Sequence, residues 1–293
     1  MWTRSLSPNP HGDQVAQPAL QLTAIILLLR PFEIWWLAPI ALGAAVLCLV
    51  VERVRRAPLT WMLLTALAFA RLAASWPLAD NHHYLLAYWC LAIALALGST
   101  TPATTLATSG RWLLAAAFAF AVLWKGVLSP DYTDGRFFRV TVLTDPRFTD
   151  ASMIFGGLTP EQMEENRAFL EPLPDGAELL HPPAFIEPVR LRVFASVATW
   201  GGLVLETLIA LLCALPSSGR IVVARHAVLL IFCVTTYALA PVAGFGWLIA
   251  TLGLAQCGPH QRALRTAYVA VFVLILLYSE IPWTAVLVEW SGR

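Results

Sequence analysis

Long apolar blocks, separated by short polar segments, dominate the hydrophobic pattern of the 293-residue chain. Stretches such as 40–51 and 268–278 are almost continuously apolar, so they show neither the alternation of a half-buried strand nor the narrow stripe of a surface helix. A bilayer core of roughly 30 Å requires about 20 such residues per helix. The pattern therefore predicts an all-α, polytopic transmembrane helical bundle.

Nine segments are predicted as spans on this length rule. They are residues 18–36, 37–52, 58–77, 84–98, 111–128, 191–214, 221–240, 242–256 and 266–288. The first two are separated only by the stretch from Arg30 to Glu33 and by Pro39, so residues 19–51 form either two spans or one span and an interfacial helix. We therefore expect eight or nine spans, which follow a polar N-terminal segment at residues 1–17.

The composition supports a membrane protein and excludes several soluble classes. Hydrophobic residues make up 58% of the chain and charged residues 13%, against about 45–50% and about 25% in soluble domains. The formal net charge of +1 includes no basic patch large enough for nucleic acid, so we expect no nucleic-acid partner. The five cysteines lie in or beside apolar blocks, without disulfide or zinc spacing, which predicts small core residues.

The arginines of the short loops predict the orientation in the membrane. Alternation of the spans places most of them on one side: Arg53, Arg55, Arg56, Arg111, Arg220, Arg225, Arg262 and Arg265. Segment 80–83 and the long loop 129–190 fall on the opposite side, and this loop holds 11 of the 18 acidic residues. We expect a bacterial inner or plasma membrane, with the loop on its extracytoplasmic side.

The loop 129–190 also carries a helix-start pattern. Thr159 is suited to the N-cap, Pro160 to the first helical position and Gln162 to the third. This pattern predicts a short helix that ends near residue 171. Its candidate packing residues are Met163, Phe169 and Leu170. The loop is interpreted either as a structured connector or as a lid over an outward-facing cavity.

Lys125 is the only lysine beside 18 arginines, and it lies inside a predicted span. At a rise of about 1.5 Å per residue, Lys125 lies about 20 Å above the inner end of that span. The candidate cavity residues Arg71 and Glu280 are expected at a similar height in their own spans, so the three form one charged layer. Glu206 is expected to lie deeper, which argues against a direct role beside Lys125. Such a layer either stabilises the bundle through ion pairs or lines a polar cavity. Burial can deprotonate lysine but not arginine, so Lys125 is a candidate general base.

His82 and His83 stand at the mouth of a predicted span, beside Asp80. Neighbouring helix residues are expected to point in different directions, which excludes the i, i+4 histidine pair of a helical zinc site. We therefore expect interfacial hydrogen bonding for His83 and no bound metal.

The segment Asn81-His82-His83-Tyr84-Leu85 resembles the Asn-His-x-Tyr-Leu motif of vitamin K-dependent gamma-glutamyl carboxylase and of the related horizontally transferred transmembrane (HTTM) domain proteins. Later features follow in the order of that family: Lys125–Gly135, Trp200–Glu206 and Gly244–Trp247. The resemblance covers about residues 20–257. The chain departs from the family in a longer spacing after the lysine and in lacking a counterpart of its late-span histidine near residues 233–237.

The resemblance implies a membrane site in which Lys125 removes a proton from a reduced quinone, such as vitamin K hydroquinone, acting as cofactor. It also implies that His82 supports this base and that Asn81 and Tyr84 shape the cavity. The implied reaction is carboxylase-like base chemistry on a peptide or another hydrophobic substrate. The alternative is a non-enzymatic membrane accessory protein that binds a peptide, a lipid or an exported partner.

Overall fold

The computed structural model describes residues 10–280 apart from residues 31, 170–171, 173–174, 177, 179–183 and 240–241. Helices and no strands occur in this part of the chain, which confirms the predicted all-α class. The α-helices are α1 (Pro10–Leu29), α2 (Leu37–Val50), α3 (Glu52–Arg55), α4 (Pro58–Ala74), α5 (Asn81–Leu97), α6 (Pro102–Leu123), α7 (Pro130–Thr133), α8 (Arg136–Thr144), α9 (Thr149–Ala151), α10 (Pro160–Ala168), α11 (Val189–Ala214), α12 (Gly219–Leu239), α13 (Ala243–Ala255) and α14 (Arg262–Glu280). The other helical turns are the π-helical turns Trp124–Leu128 and Ser152–Gly156 and the 3₁₀ turn Pro146–Phe148.

Three helices of the described chain are long and apolar enough to cross a membrane. They are Pro102–Leu128, which joins α6 to the first π-helical turn, Val189–Ala214 and Gly219–Tyr237. Shorter apolar helices are Ala16–Leu29, Leu37–Val50, Pro58–Ala74 and Gly244–Ala255. This set of helices fits an integral membrane protein in a lipid bilayer. The number of crossings, eight or nine, and the side on which the long loop lies stay predictions.

Helix boundaries differ from the predicted spans where weakly apolar residues continue a helix. Residues 19–51 contain parts of two helices, because α1 ends at Leu29 and α2 begins at Leu37. The helix predicted from residue 111 instead begins at Pro102, where proline suits the first turn. The Thr, Ala, Ser and Gly residues that follow are compatible with a helix but contribute little hydropathy, so an apolar-run rule omits them.

Helix α13 lies at the centre of the bundle. It packs against α1, α5, α6, α12 and α14, and all of residues 246–255 are buried. Two tyrosine rings lie directly over its glycines, Tyr237 over Gly246 and Tyr268 over Gly253. The rings can pack this closely only because glycine has no side chain at positions 246 and 253. The five cysteines are buried and free, as predicted for core residues: Cys48, Cys90, Cys213, Cys233 and Cys257.

The segment between Lys125 and α11 folds into helices and turns around an apolar cluster of its own. This cluster consists of Val142, Leu143, Phe148, Leu158 and Met163, joined by Leu191 and Ala195 of α11. The first turns of α11 thus belong to the packing of this segment. The predicted packing role of Met163 is confirmed, because its side chain is buried, whereas Phe169 is exposed and Leu170 lies outside the described residues.

The predicted capping box at the start of α10 is confirmed. The Thr159 hydroxyl accepts a hydrogen bond from the Gln162 backbone N–H, and Gln162 Oε1 accepts one from the Thr159 backbone N–H at 3.0 Å. Both bonds satisfy helix-start donors that have no partner inside the helix. The helix ends at Ala168, three residues before the predicted end.

We expect Thr159→Ala to loosen α10 without affecting the bundle. Loss of an N-cap oxygen costs about 1 kcal/mol, which corresponds to roughly fivefold faster amide hydrogen exchange over residues 160–168. Hydrogen exchange with mass spectrometry on the detergent-solubilised protein measures this difference. Thr141→Ala is the matched control, because the Thr141 hydroxyl donates to the Phe137 carbonyl within its own helix and caps nothing. Equal exchange of residues 160–168 in both variants would contradict the assigned cap.

Candidate functional site

Lys125 forms an ion pair with Glu206. Lys125 Nζ lies 2.5 Å from Glu206 Oε1, which links the π-helical turn after α6 to α11. The Glu206 side chain is 8% exposed and the Lys125 side chain 30%, so the carboxylate is enclosed while the lysine side chain is partly exposed. The expectation that Glu206 lies too deep for a role beside Lys125 is therefore wrong. Residue counting gives backbone heights, whereas the flexible four-carbon stem of lysine carries Nζ well away from its Cα.

Two local features shape the surroundings of Lys125. It belongs to the π-helical turn Trp124–Leu128, and single π-turns of this kind are frequent at functional sites. The ring of Tyr132 faces the ammonium group, with 5.3 Å between Nζ and the ring centroid. Burial, with a smaller contribution from the charge of Glu206, raises the pKa of the Tyr132 phenol. Tyr132 is therefore protonated at neutral pH.

The second carboxylate oxygen of Glu206, Oε2, is buried and has no hydrogen-bond partner in the part of the chain that the structure describes. A buried acceptor left in this state costs about 1–3 kcal/mol, and more when it is charged, so such groups are normally satisfied by water or a ligand. The pair thus offers a cation at Lys125 and a free acceptor at Glu206.

A second polar cluster forms at the start of α5 from Asp80, His82 and His83. The candidate ligand atoms of these three residues all lie within 4.8 Å of one another. The imidazole rings of the two histidines are 4.0 Å apart between centroids, with a tilt of 55°. The expectation that neighbouring histidines diverge is therefore wrong. In the first turn of a helix no preceding turn restricts the side chains, so the two rings can fold against each other.

Arg71 lies beside this cluster, at the end of α4. It is buried, and its guanidinium carbon lies 5.5 Å from the centroid of the Phe32 ring. Its Nη2 is 3.8 Å from Glu33 Oε2, so the ion-pair interpretation of this charged layer holds for these two residues. The positive charge of Arg71 also acts on both His82 and His83. The structure places Arg71 with the histidines, and its described contacts do not include Lys125.

The remaining predicted site residues lie at the same helix start or outside the described residues. Asn81 is the exposed first residue of α5, and Tyr84 is half-buried against the main core. Glu280 ends α14, and its side chain lies outside the described residues.

The second cluster packs against the first turn of α13. The His82 ring lies against Gly244, and the Tyr237 ring lies over Gly246. Among the residues that the structure describes, the hydrogen-bond, ion-pair and ring contacts of Lys125 are with Glu206 and Tyr132. The shared site of Lys125, His82 and Tyr84 stays a prediction.

Four members of the two clusters are absent from the predicted site: Glu206, Tyr132, Asp80 and His83. Three of them have a signal in the sequence, because Tyr132 follows Lys125 by seven residues and the other two lie within two residues of His82. Glu206 has no such signal. Its contact with Lys125 depends on how α6 and α11 pack and rotate against each other.

No family model, curated protein or solved structure matches the chain. The resemblance to the HTTM domain proteins therefore rests on the quoted motifs. The case for a function depends on the chemistry of the two clusters.

Proposed function

We propose that this integral membrane protein binds an apolar molecule with an acidic hydroxyl, of the hydroquinone class, beside Lys125 and removes its hydroxyl proton. The observation that carries the proposal is the Lys125–Glu206 pair, in which Oε2 is buried without a partner among the described residues. A hydroquinone supplies what the pair lacks, a hydrogen for Oε2 and, once ionised, an oxyanion for the ammonium group. The resemblance to the carboxylase points to the same class of ligand.

The proton balance of this step leaves no isolated charge in the site. Before the step, Lys125 is an ammonium and Glu206 a carboxylate. The O–H bond of the ligand breaks, its electron pair stays on the ligand oxygen, and its proton moves to the carboxylate. If the pair starts instead as an amine and a carboxylic acid, Lys125 itself accepts the proton, and the same products result. The net charge is unchanged, so a site shielded from water favours this arrangement over an unpaired oxyanion.

The oxyanion formed in this step is the reactive species that carboxylase-like chemistry requires. Lys125 stabilises it by charge, as electrostatic groups fixed before the reaction do in many enzymes. The ring face of Tyr132 contacts the ammonium group of Lys125. Its phenol is protonated, so it adds no negative charge that would repel the oxyanion. In this proposal Lys125 is a catalytic residue, Glu206 is the proton acceptor, and Tyr132 is a positioning residue.

The proposal can be tested on Lys125 directly, because it is the only lysine in the chain. An amine-selective acylating reagent, applied to the full-length protein in detergent, modifies Lys125 and the N-terminal amine, which mass spectrometry separates. We expect saturating menadiol, kept reduced under anaerobic conditions, to slow the acylation of Lys125 at least about tenfold, as occupancy by mass action requires. The N-terminal amine is the internal control and should react at an unchanged rate.

Two variants and a matched control make this test decisive. Glu206→Gln removes the partner charge, so we expect faster acylation of Lys125 and loss of protection by menadiol. Lys125→Met removes the charge that stabilises the oxyanion, so it should abolish ionisation of bound menadiol, followed by absorbance, while the protein still inserts. Thr207→Ala should behave as the wild type, because the Thr207 hydroxyl donates to the Leu203 carbonyl of its own helix. Unchanged acylation with menadiol, or full protection in Glu206→Gln, would overturn the proposal.

A further inference from the structure

We propose that Asp80, His82 and His83 bind a divalent transition metal of the zinc class at the start of α5. Their candidate ligand atoms, two imidazole nitrogens and one carboxylate oxygen, lie within 4.8 Å of one another. Zinc binds such atoms at about 2.0–2.2 Å, which places neighbouring ligands of a tetrahedral site about 3.3 Å apart. The three groups therefore lie within about 1.5 Å of this spacing.

The backbone around the three residues already fixes their approach. His83 N–H donates to the Asp80 carbonyl at 2.9 Å, which sets the turn that brings residue 80 next to residue 83. The Asp80 carboxylate stands at the N-cap position but caps no backbone N–H, so its oxygens remain available to a metal. Gly244 packs against the other side of the His82 ring. A Cβ added at Gly244 would lie 3.0 Å from Nε2 and Cδ2 of this ring. A larger residue at position 244 would displace this ring.

The donor set selects the class of metal. Two imidazoles and one carboxylate suit zinc and similar transition metals, whereas magnesium and calcium prefer oxygen ligands throughout. The positive charges of Arg71 and Arg30 act on His82 and oppose a bound cation, and the carboxylates of Asp80 and Glu33 offset them. Affinity for an ion at this position therefore depends on bonds to the imidazoles, which favours zinc further.

Three protein ligands leave one position of a tetrahedral zinc ion open. Asp80 is exposed, so an ion can reach the three side chains from outside the protein. Open zinc sites of this kind bind water or a substrate oxygen and lower the pKa of the bound water. The proposed site shares no residue with the Lys125–Glu206 pair, and its test does not depend on a hydroquinone.

The test uses zinc chloride and the full-length protein, purified with a histidine-free affinity tag and stripped with a chelator. Isothermal titration calorimetry should give one zinc ion per chain, and elemental analysis after desalting should give the same ratio. His83→Gln and Asp80→Asn, which preserve side-chain size, should each weaken zinc binding at least about tenfold. The His82→Ala/His83→Ala double variant should lose the bound ion.

His260→Gln is the matched control, because His260 is an exposed histidine remote from α5 in sequence, in the turn before α14. Zinc binding should be unchanged in this variant. Cobalt substitution adds a measurement that does not depend on stability, since tetrahedral cobalt with nitrogen and oxygen ligands gives a characteristic visible spectrum. Wild-type protein that binds no zinc, or zinc affinity that is the same in His83→Gln as in His260→Gln, would overturn the proposal. Retention of the cobalt spectrum in the double variant would also overturn it.

Discussion

Replacing Glu206 by leucine is expected to destabilise the protein far more than replacing both members of its ion pair. Glu206→Leu leaves the ammonium of Lys125 without its partner, and removal of one member of a buried pair costs about 3–5 kcal/mol. Because the Lys125 side chain is 30% exposed, water recovers part of this loss, and we expect about 3 kcal/mol. Lys125→Met should cost at least as much, because it leaves the more deeply buried carboxylate alone.

The Lys125→Met/Glu206→Leu double variant should recover most of this stability. An apolar pair of similar volume removes both desolvation penalties, and such replacements are often neutral. Unfolding followed by tryptophan fluorescence in detergent, arranged as a double-mutant cycle, should give a coupling energy of at least about 2 kcal/mol. Thr207→Ala again serves as the control for a change on the same helix. Additive effects of the two single replacements would show that the pair does not stabilise the fold.

Gly253→Ala is expected to be the most damaging single-methyl addition in the bundle. The added Cβ would overlap Cε1 of Tyr268 and would stand 2.9 Å from its hydroxyl oxygen. Tyr268 cannot withdraw easily, because its side chain is fully buried and its hydroxyl is hydrogen-bonded to His226 Nδ1 at 2.8 Å. Overpacking in a rigid core typically costs about 1–3 kcal/mol. We expect a loss of about 3 kcal/mol.

Gly43→Ala provides the matched control for this replacement. Gly43 lies in α2, and no atom of the described residues comes within 4 Å of an added Cβ, so alanine should stabilise that helix by up to about 1 kcal/mol. Thermal unfolding of the two variants in the same detergent should therefore shift in opposite directions. Shortening the ring partner, as in Gly253→Ala/Tyr268→Leu, should recover part of the loss. Equal unfolding temperatures for the two alanine variants would contradict the close packing of α13.

Features that depend on short stretches of sequence could be predicted from the chain alone. The capping box at Thr159 and Gln162 is local, because both hydrogen bonds join residues three apart. The helical class also follows from the apolar blocks, since a helix satisfies its own backbone groups in a medium without water. The helix starts are less accurate, because Pro102 begins α6 in a stretch with little hydropathy.

The composition of the two clusters could not be predicted, because it depends on side-chain reach and helix rotation. The Lys125–Glu206 contact joins residues 81 positions apart and requires a particular face of α11 to turn toward α6. The helical period and the hydropathy of the sequence define the apolar faces of α6 and α11, but they do not define how the two helices are rotated against each other. The approach of His83 to His82 depends on side-chain torsions in one helical turn. In both cases a rule that holds for average helices fails at an individual contact.

The burial of α13 has a consequence for the order in which the chain assembles in the membrane. This helix has 13 residues and is about 20 Å long, shorter than the bilayer core of roughly 30 Å. Because α1, α5, α6, α12 and α14 surround it, partition into lipid cannot set its final position. Its native environment exists only after the early helices have been synthesised, and α14 must then join them to complete the enclosure. The docking of α13 against α1, two helices that are far apart in the sequence, is therefore expected to follow insertion into the membrane.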